Sequence, residues 1–392
     1  MISKHLLTAL CAAVVSLSAS AQEAKPDFKW YGFIRNYAVW DSHASDAGNE
    51  DLYYYMPKDN DASGAFNFVA LTSRLGVDIK GYQADGFKID AKIEADFYNK
   101  NSTTAILRLR QAFVTIARGD VSWKVGQGWH PMAADMPDIY SLETGAPFGP
   151  FSRTPLASLD YKLTDGLSLT AAAIWQMQYT STGPNGGTAD YIKRSGIPEA
   201  YLGLSCKSGN FLARVGGDVL AIKPYADKDG LSTTWNAFAY AQYVNDSWSV
   251  KNKLTYANDG SHFNMIGGYG VTDENKDGVS FAATRNVSDW FSVLYKGWGR
   301  WRPCLFLGYT RMMGAPEIVD HNSFYGKLNA DKVGQIYRIQ PEITYNIGKL
   351  ALGMEYMMTS VQYGNADNYM RVVNDLHWVS NHRIQGIVRY NF

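Results

Sequence analysis

The chain has few cysteines, little proline, no surplus of either charge and, past its first twenty-one residues, no long apolar run. Each shortage excludes something. Three cysteines stand in 392 residues, and Cys11 lies in an N-terminal segment that reads as a leader. Cys206 and Cys304 are too few for a disulfide framework. They read as two small apolar side chains, with a single bridge as the alternative. The 37 Lys and Arg balance 37 Asp and Glu, so there is no electrostatic case for nucleic acid. Nothing approaches the ~20 consecutive apolar residues of a transmembrane helix. No HExxH or HxxxH pair, CxxC, GxSxG or phosphate-binding glycine loop occurs. No metal, no cofactor and no enzymatic activity is therefore expected. The acidic stretch VTDENKDG (271–278) has Asp273, Asn275 and Asp277 but lacks the rest of an EF-hand loop, and reads as solvated.

What is present is aromatic and periodic. Tyr numbers 26, Trp 11 and Gly 36. The N-terminus, MISKHLLTALCAAVVSLSASA, places Lys4 and His5 before an apolar run and ends on Ala-Ser-Ala. That is a secretory signal peptide over residues 1–21. The C-terminus, RIQGIVRYNF, sets Ile384, Val388, Tyr390 and Phe392 on one face of a strand, and Arg383, Gln385, Arg389 and Asn391 on the other. The same period of two runs through SRLGVDIK, FKIDAKIEADF and IYRIQPEITYNI. In the last of these Pro341 cannot donate to a ladder, so a bulge is expected there.

The connections sort by length. Tight turns at 82–86, 118–120, 164–166, 207–210, 244–247, 297–300 and 347–349 alternate with mostly longer segments at 41–65, 99–104, 131–152, 180–196, 223–233, 258–284, 314–333 and 364–381. A β-sandwich has no reason to sort its connections so. A transmembrane antiparallel β-barrel does: short periplasmic turns, long extracellular loops and an even strand count. The reading is all-β, with about sixteen strands (fourteen or eighteen being the alternatives) and residues 22–392 forming one barrel domain. Trp30, Trp40, Trp123, Trp129, Trp175, Trp248, Trp290 and Trp378 fall near strand ends, where amphipathic rings suit a membrane interface; for a few, such as Trp129 beside loop 131–152, the alternative is a place along a sugar path.

The segments WYGFIRNYAVWD (30–41), SRLGVDIKG (73–81), KIEADF (92–97), LRLRQAFVTI (107–116) and VGQGWHPM (125–132) resemble, in order, the first strands of the DcaP-like outer-membrane porins. The resemblance covers about residues 28–132 and the final strand. It implies a sixteen-stranded, trimeric, water-filled channel for small, often anionic, solutes. Some members carry a helical periplasmic segment before the barrel, for which the few residues after Gln22 leave no room. Tyr390 and Phe392 match the C-terminal signature that the barrel-assembly machinery reads. The expectation is a porin in the outer membrane of a Gram-negative bacterium, with lipid, solutes and two further copies of itself as partners. A substrate-specific sugar or peptide channel and a plugged receptor or adhesin barrel are the alternatives.

Selectivity should then reside in the lumen. Pairing the strands through their turns sets Arg74 opposite Glu94, Thr72 opposite Asp96, Glu94 opposite Arg110 and Asp96 opposite Arg108, all on the polar face. Such a ladder is either structural, each pair contributing ~0.2–1 kcal/mol, or a positive strip that tunes which ion enters. Lys124, Arg153, Arg214, Arg338, Arg383 and Arg389 would add to it, and Asp218, Glu342 and Glu355 subtract. Loop 131–152 lies where porins of this size fold a constriction inward. Its Asp135, Asp138 and Glu143 would face the arginine wall across the narrowest point. An exposed loop with ordinary surface charges is the alternative.

Overall fold

The structure, a computed structural model, describes residues 25–46, 56–70, 72–99, 105–141, 144–275 and 278–392. The signal peptide expected at 1–21 lies outside them. The main sheet has seventeen hydrogen-bonded segments, and two of them are halves of one broken stave, so the barrel has sixteen. The staves are β1 (Asp27–Asp41), β2 (Ala65–Val69 and Arg74–Ala84), β3 (Phe87–Asn99), β4 (Ala105–Arg118), β5 (Val121–Trp129), β6 (Arg153–Lys162), β7 (Leu167–Ile174) and β8 (Glu199–Ser208). Then follow β9 (Phe211–Ile222), β10 (Ser232–Val244), β11 (Trp248–Asn258), β12 (Arg285–Tyr295), β13 (Trp301–Gly314), β14 (Val333–Ile347), β15 (Leu350–Ala366) and β16 (Val372–Asn391). Each pairs antiparallel with its neighbours, and β1 pairs with β16 in the register Phe33 to Asn391 through Asp41 to Arg383. The ring closes, so no edge is left for lipid to meet.

Alternation fixes which face is which. Trp30, Ile34 and Trp40 of β1 and Ile384, Val388, Tyr390 and Phe392 at the C-terminus are exposed outward, while Arg383 and Gln385 are buried inward. In a bilayer the outward set meets acyl chains and headgroups. Trp123, Trp175, Trp248 and Trp378 are also exposed. Trp129 and Trp290 are not: Trp290 is buried inside, and Trp129 packs edge-on against Phe151. Those two belong to the lumen: for Trp290 this corrects the expected belt, and for Trp129 it matches the alternative of a ring beside the inward loop. Cys206 is exposed and Cys304 buried, both free.

Three local features differ from expectation. Pro341 carries no bulge. The pairing of β14 with β15 lapses at Gln340 and Pro341 and resumes in the same register, so the missing N–H is never called upon. The last strand starts ten residues earlier than its alternation suggests, at Val372 rather than 382, and the loop before it shrinks to 367–371. Finally, the long loops hold structure of their own. Gly267–Glu274, Val279–Ala283 and Phe324–Lys327 form a separate three-stranded sheet. A short helix, Asp190–Ser195, packs Tyr191 and Ile192 beside Leu220, Ile222 and Tyr269. Part of the stretch expected to be a solvated acidic loop is thus strand, drawn in by buried Tyr269 and Val271.

The terminal Phe392 has a specific place. Its N–H donates to the Gly32 carbonyl oxygen at 3.1 Å, and its ring lies over Gly32. A Cβ at residue 32 would sit 2.5 Å from that ring and 2.3 Å from the Arg74 carbonyl oxygen. Gly32→Val is therefore expected to keep the seam from closing, read as loss of the compact, heat-modifiable band on a gel run without boiling. A normally closed Gly32→Val barrel would show that the seam tolerates a side chain there.

Candidate functional site: a loop-narrowed lumen

The inward charges of β2, β3 and β4 come together. Arg108 donates to Asp96 from Nε (2.9 Å) and Nη2 (3.1 Å), and Arg110 donates to Glu94 from Nε (2.8 Å) and to Asp96 from Nη1 (2.6 Å). Arg74 stands 3.7 Å from Glu94. The register behind this differs from the expected one in two places. Arg74 faces Asp96 and Gly76 faces Glu94, two residues from the expected pairing: the turn sets Ala84 opposite Phe87, and an irregularity between Ile79 and Tyr82 then shifts the ladder by one. Two residues is an even step, so the face is preserved. In the β3–β4 ladder Asp96 does face Arg108. A bulge after Glu94 sets Gln111 opposite Glu94, with Arg110 as the extra residue, and turns both Arg110 and Gln111 into the lumen. Lys124 also stands on the inner side, its ammonium 5.3 Å from the Phe113 ring, nearer the short-turn end.

Loop 131–152 crosses the interior. His130 caps a 3-10 turn (Pro131–Ala133) by accepting the Met132 N–H at its Nδ1. From there the chain meets the far wall. Asp135 pairs with Arg214 of β9 (2.7 Å) and approaches Lys253 of β11 (3.8 Å). Asp138 pairs with Lys251 of β11 (2.6 Å) and accepts from Ser249. The Tyr140 N–H donates to Glu342 of β14 (2.9 Å), and its carbonyl oxygen accepts from the Tyr37 hydroxyl of β1 (2.7 Å). Arg338 donates to the Ala146 carbonyl oxygen, and Gln340 to Ser141. Met132, Phe148 and Phe151 then join inward apolar residues of the wall, among them Trp290, Phe306, Ile174 and Phe238, in one buried cluster. Glu143 lies outside the described residues.

The acids of the loop do not face the β2–β4 arginines. They are taken up by Arg214, Lys251 and Lys253 on the opposite side. Of the other charges, Arg383 pairs with Asp41, and Arg338 is tied to Thr359. Arg153 is buried among Trp129, Phe151 and Tyr179.

What stays open is a cavity of about 220 Å³ between the loop and the β1–β4 wall. Arg35, Arg74, Arg108, Arg110 and Arg389 line it, with Asp96 and the loop's Pro137 and Ile139. A second space of about 500 Å³, with Lys296, Arg302 and Glu342 in its wall, shares Pro137, Ile139 and Arg389 with the first, so the two meet there. Arg35 and Arg389 are direct cross-strand neighbours. Neither has a carboxylate partner among the described residues. Arg35 donates to Thr72 and to the Tyr140 carbonyl oxygen, and Arg389 to Asn391. Instead, the guanidiniums of Arg35 (4.9 Å), Arg74 (4.9 Å) and Arg389 (4.1 Å) gather around the ring of Phe33. Sequence reasoning missed Arg35. The inner face of β1 reads Tyr31, Phe33, Arg35, Tyr37, Val39, almost as apolar as its outer face, so alternation gives no signal there.

No family model and no curated relative matches the chain. Solved structures do. The outer membrane channel DcaP of Acinetobacter baumannii superposes with a TM-score of 0.72 at 19% identity, covering 96% of this chain and 100% of that one. The anion-selective porin from Comamonas acidovorans gives 0.61 at 11% identity, covering 94% and 100%. This chain has the porin fold. The trimer form of OmpT, an outer membrane protein of Vibrio cholerae, also matches, at 0.57 and 12% identity, covering 94% and 100%. At such identities the porin barrel is what is shared.

Two variants separate the paired from the unpaired arginines. Arg35→Ala with Arg389→Ala removes charges that hold no carboxylate; a stable barrel is expected, with the reversal potential in a salt gradient moved toward cations. Arg108→Ala with Arg110→Ala removes both arginines bonded to Asp96 and leaves Glu94 with the more distant Arg74 as counterion. It should lose about 3–5 kcal/mol of stability as well as anion preference. Unchanged ion selectivity in both would make the strip purely structural. Asp135→Asn with Asp138→Asn frees the loop from the β9–β11 wall, and single-channel recordings of it should be noisier than those of the native barrel.

Proposed function

We propose that this protein is a passive diffusion porin of a Gram-negative outer membrane, passing small hydrophilic solutes with a preference for anions. The observation that carries this reading is the arginine-lined cavity beside the inward loop, where five guanidiniums are set against Asp96 and the adjoining Glu94. Fixed positive charge at a constriction lowers the energy of an anion there and raises that of a cation. The work done is selection by size and charge, with no covalent chemistry. The anion-selective porin from Comamonas acidovorans, which shares the fold, supports the same reading.

We further propose three properties that accompany this role. The chain is exported through a signal peptide cleaved after residue 21. Tyr390 and Phe392 serve as the signature for barrel assembly. The working unit is a homotrimer, in keeping with the trimer form of the Vibrio cholerae protein. The outward small residues Ala171, Ala173, Ala237 and Ala239 of β7 and β10 allow close approach of a neighbouring copy. A substrate-specific channel is the second reading. It is favoured by Phe33, Trp129 and Tyr140, rings that border the same two spaces as the arginines.

Purified protein in a planar bilayer decides between these. Large conductance steps in groups of three, with a reversal potential leaning toward anions, are expected. Large steps without ion preference would keep the channel and remove the role of the arginines. A folded barrel that conducts only a trickle, blocked by one class of solute, would favour the substrate-specific reading. No conductance at all would mean a plugged receptor.

A further inference from the structure

Away from the arginines, at the root of the inward loop, lies a second cluster that conduction does not use. His130 begins the loop, Glu199 opens β8 and Asp218 lies in β9. One ligand atom from each lies within 4.8 Å of the others, and all three side chains are buried. His262, from the turn after β11, brings its Nε2 to 3.9 Å from Glu199 Oε1 and is itself 1% exposed.

The hydrogen bonds around the cluster are one-sided. His130 Nε2 meets Glu199 Oε1 at 2.7 Å, and Asn236 donates to Asp218 Oδ1 at 2.7 Å. The other oxygens, Glu199 Oε2 and Asp218 Oδ2, have no hydrogen-bond partner, and neither does either ring nitrogen of His262. No lysine or arginine among the described residues forms an ion pair with Glu199 or Asp218. Two buried carboxylates so placed cannot both hold charge without a positive partner. His130 is a poor source of it. Its Nδ1 accepts the Met132 N–H, so the ring is neutral and its one proton is on Nε2.

We propose that His130, Glu199 and Asp218, with His262 at their edge, bind one first-row divalent cation of the Zn²⁺ type. An imidazole with carboxylates suits Zn²⁺ and its neighbours in that row, whereas Ca²⁺ and Mg²⁺ take all-oxygen shells. Asp218 already has one oxygen held by Asn236, outside the cluster, and the other free, the arrangement in which an outer hydrogen bond aims a ligand at a metal; Glu199 Oε2 is free as well. Coordination through His130 Nε2 requires its proton to move to Nδ1. The Met132 N–H must then give up that bond. Cation binding is thereby linked to the 3-10 turn Pro131–Ala133, from which the inward loop springs.

The test uses the untagged full-length barrel, folded in detergent and stripped with a chelator. Titration with Co²⁺, then displacement by Zn²⁺, should give one metal per chain and visible ligand-field bands. Glu199→Gln and Asp218→Asn, which each remove a ligand charge, should weaken binding by more than roughly 100-fold while still giving the compact, heat-modifiable band. Asn236→Ala, which removes only the donor to Asp218, should weaken it roughly 10–100-fold. No stoichiometric uptake by the native barrel would overturn the proposal. So would equal uptake by both ligand variants, which would place the metal elsewhere. A native barrel that binds no metal, beside variants that resist heat better, would mean that a shared proton holds the pair.

Discussion

The grip of Arg214, Lys251 and Lys253 on Asp135 and Asp138 is what the rest of the lumen depends on. A barrel wall leaves no requirement for a loop inside it, and ordering a chain segment costs about 1–2 kcal/mol per residue. Part of that cost is offset by burial of Met132, Phe148 and Phe151 against the wall. Burial alone does not say where the loop goes, since apolar contact has no direction. The ion pairs do. They draw the loop to the β9–β11 side and so leave the arginine-lined cavity along β16 and β1–β4, with the second space beside β12–β14 adjoining it. They also decide which wall charges a solute meets: cations on the far side are neutralised by the loop, and those on the near side are not.

The near side has its own logic. Arg35 and Arg389 stand opposite each other across the closing seam, a placement that ordinarily costs stability. Phe33 lies between them and Arg74, its ring face offering the negative potential that a carboxylate would otherwise supply. An aromatic ring steadies a guanidinium without cancelling its charge. The site therefore keeps its field while holding its side chains in place, which a ladder of salt bridges such as Arg108–Asp96 does not do.

Much of this was legible in the sequence, and for identifiable reasons. Sixteen staves follow from alternation and from the sorting of connections by length, both imposed by lipid outside and water inside. The facing of Arg74, Glu94, Asp96, Arg108 and Arg110 followed too, since a slip of two residues in register leaves faces unchanged. The bulge at Arg110 did not, because it needs no special residue type. Arg35 was hidden by an inner face of β1 that is aromatic. The sorting of charges between loop and wall was hidden as well. Asp135 and Asp138 look the same whether they face Arg108 or Arg214, and only the path of the loop separates the two. The small outer sheet was hidden because Tyr269 and Tyr325 meet over more than fifty residues of chain.

The three arginines around Phe33 also have an electrical consequence. Where a pore is narrowest its resistance is greatest, so most of an applied voltage falls across that short stretch. A membrane potential exerts about 2.3 kcal/mol per unit charge per 100 mV. Contact of a guanidinium with a ring is worth about 0.5–2 kcal/mol, which is of the same order. Arg108 and Arg110 are locked by carboxylates and will not yield. Arg35 and Arg389, held by a ring and a few neutral acceptors, can lean with the field. A channel so built is expected to pass current more easily in one direction than the other, so that its current–voltage curve bends.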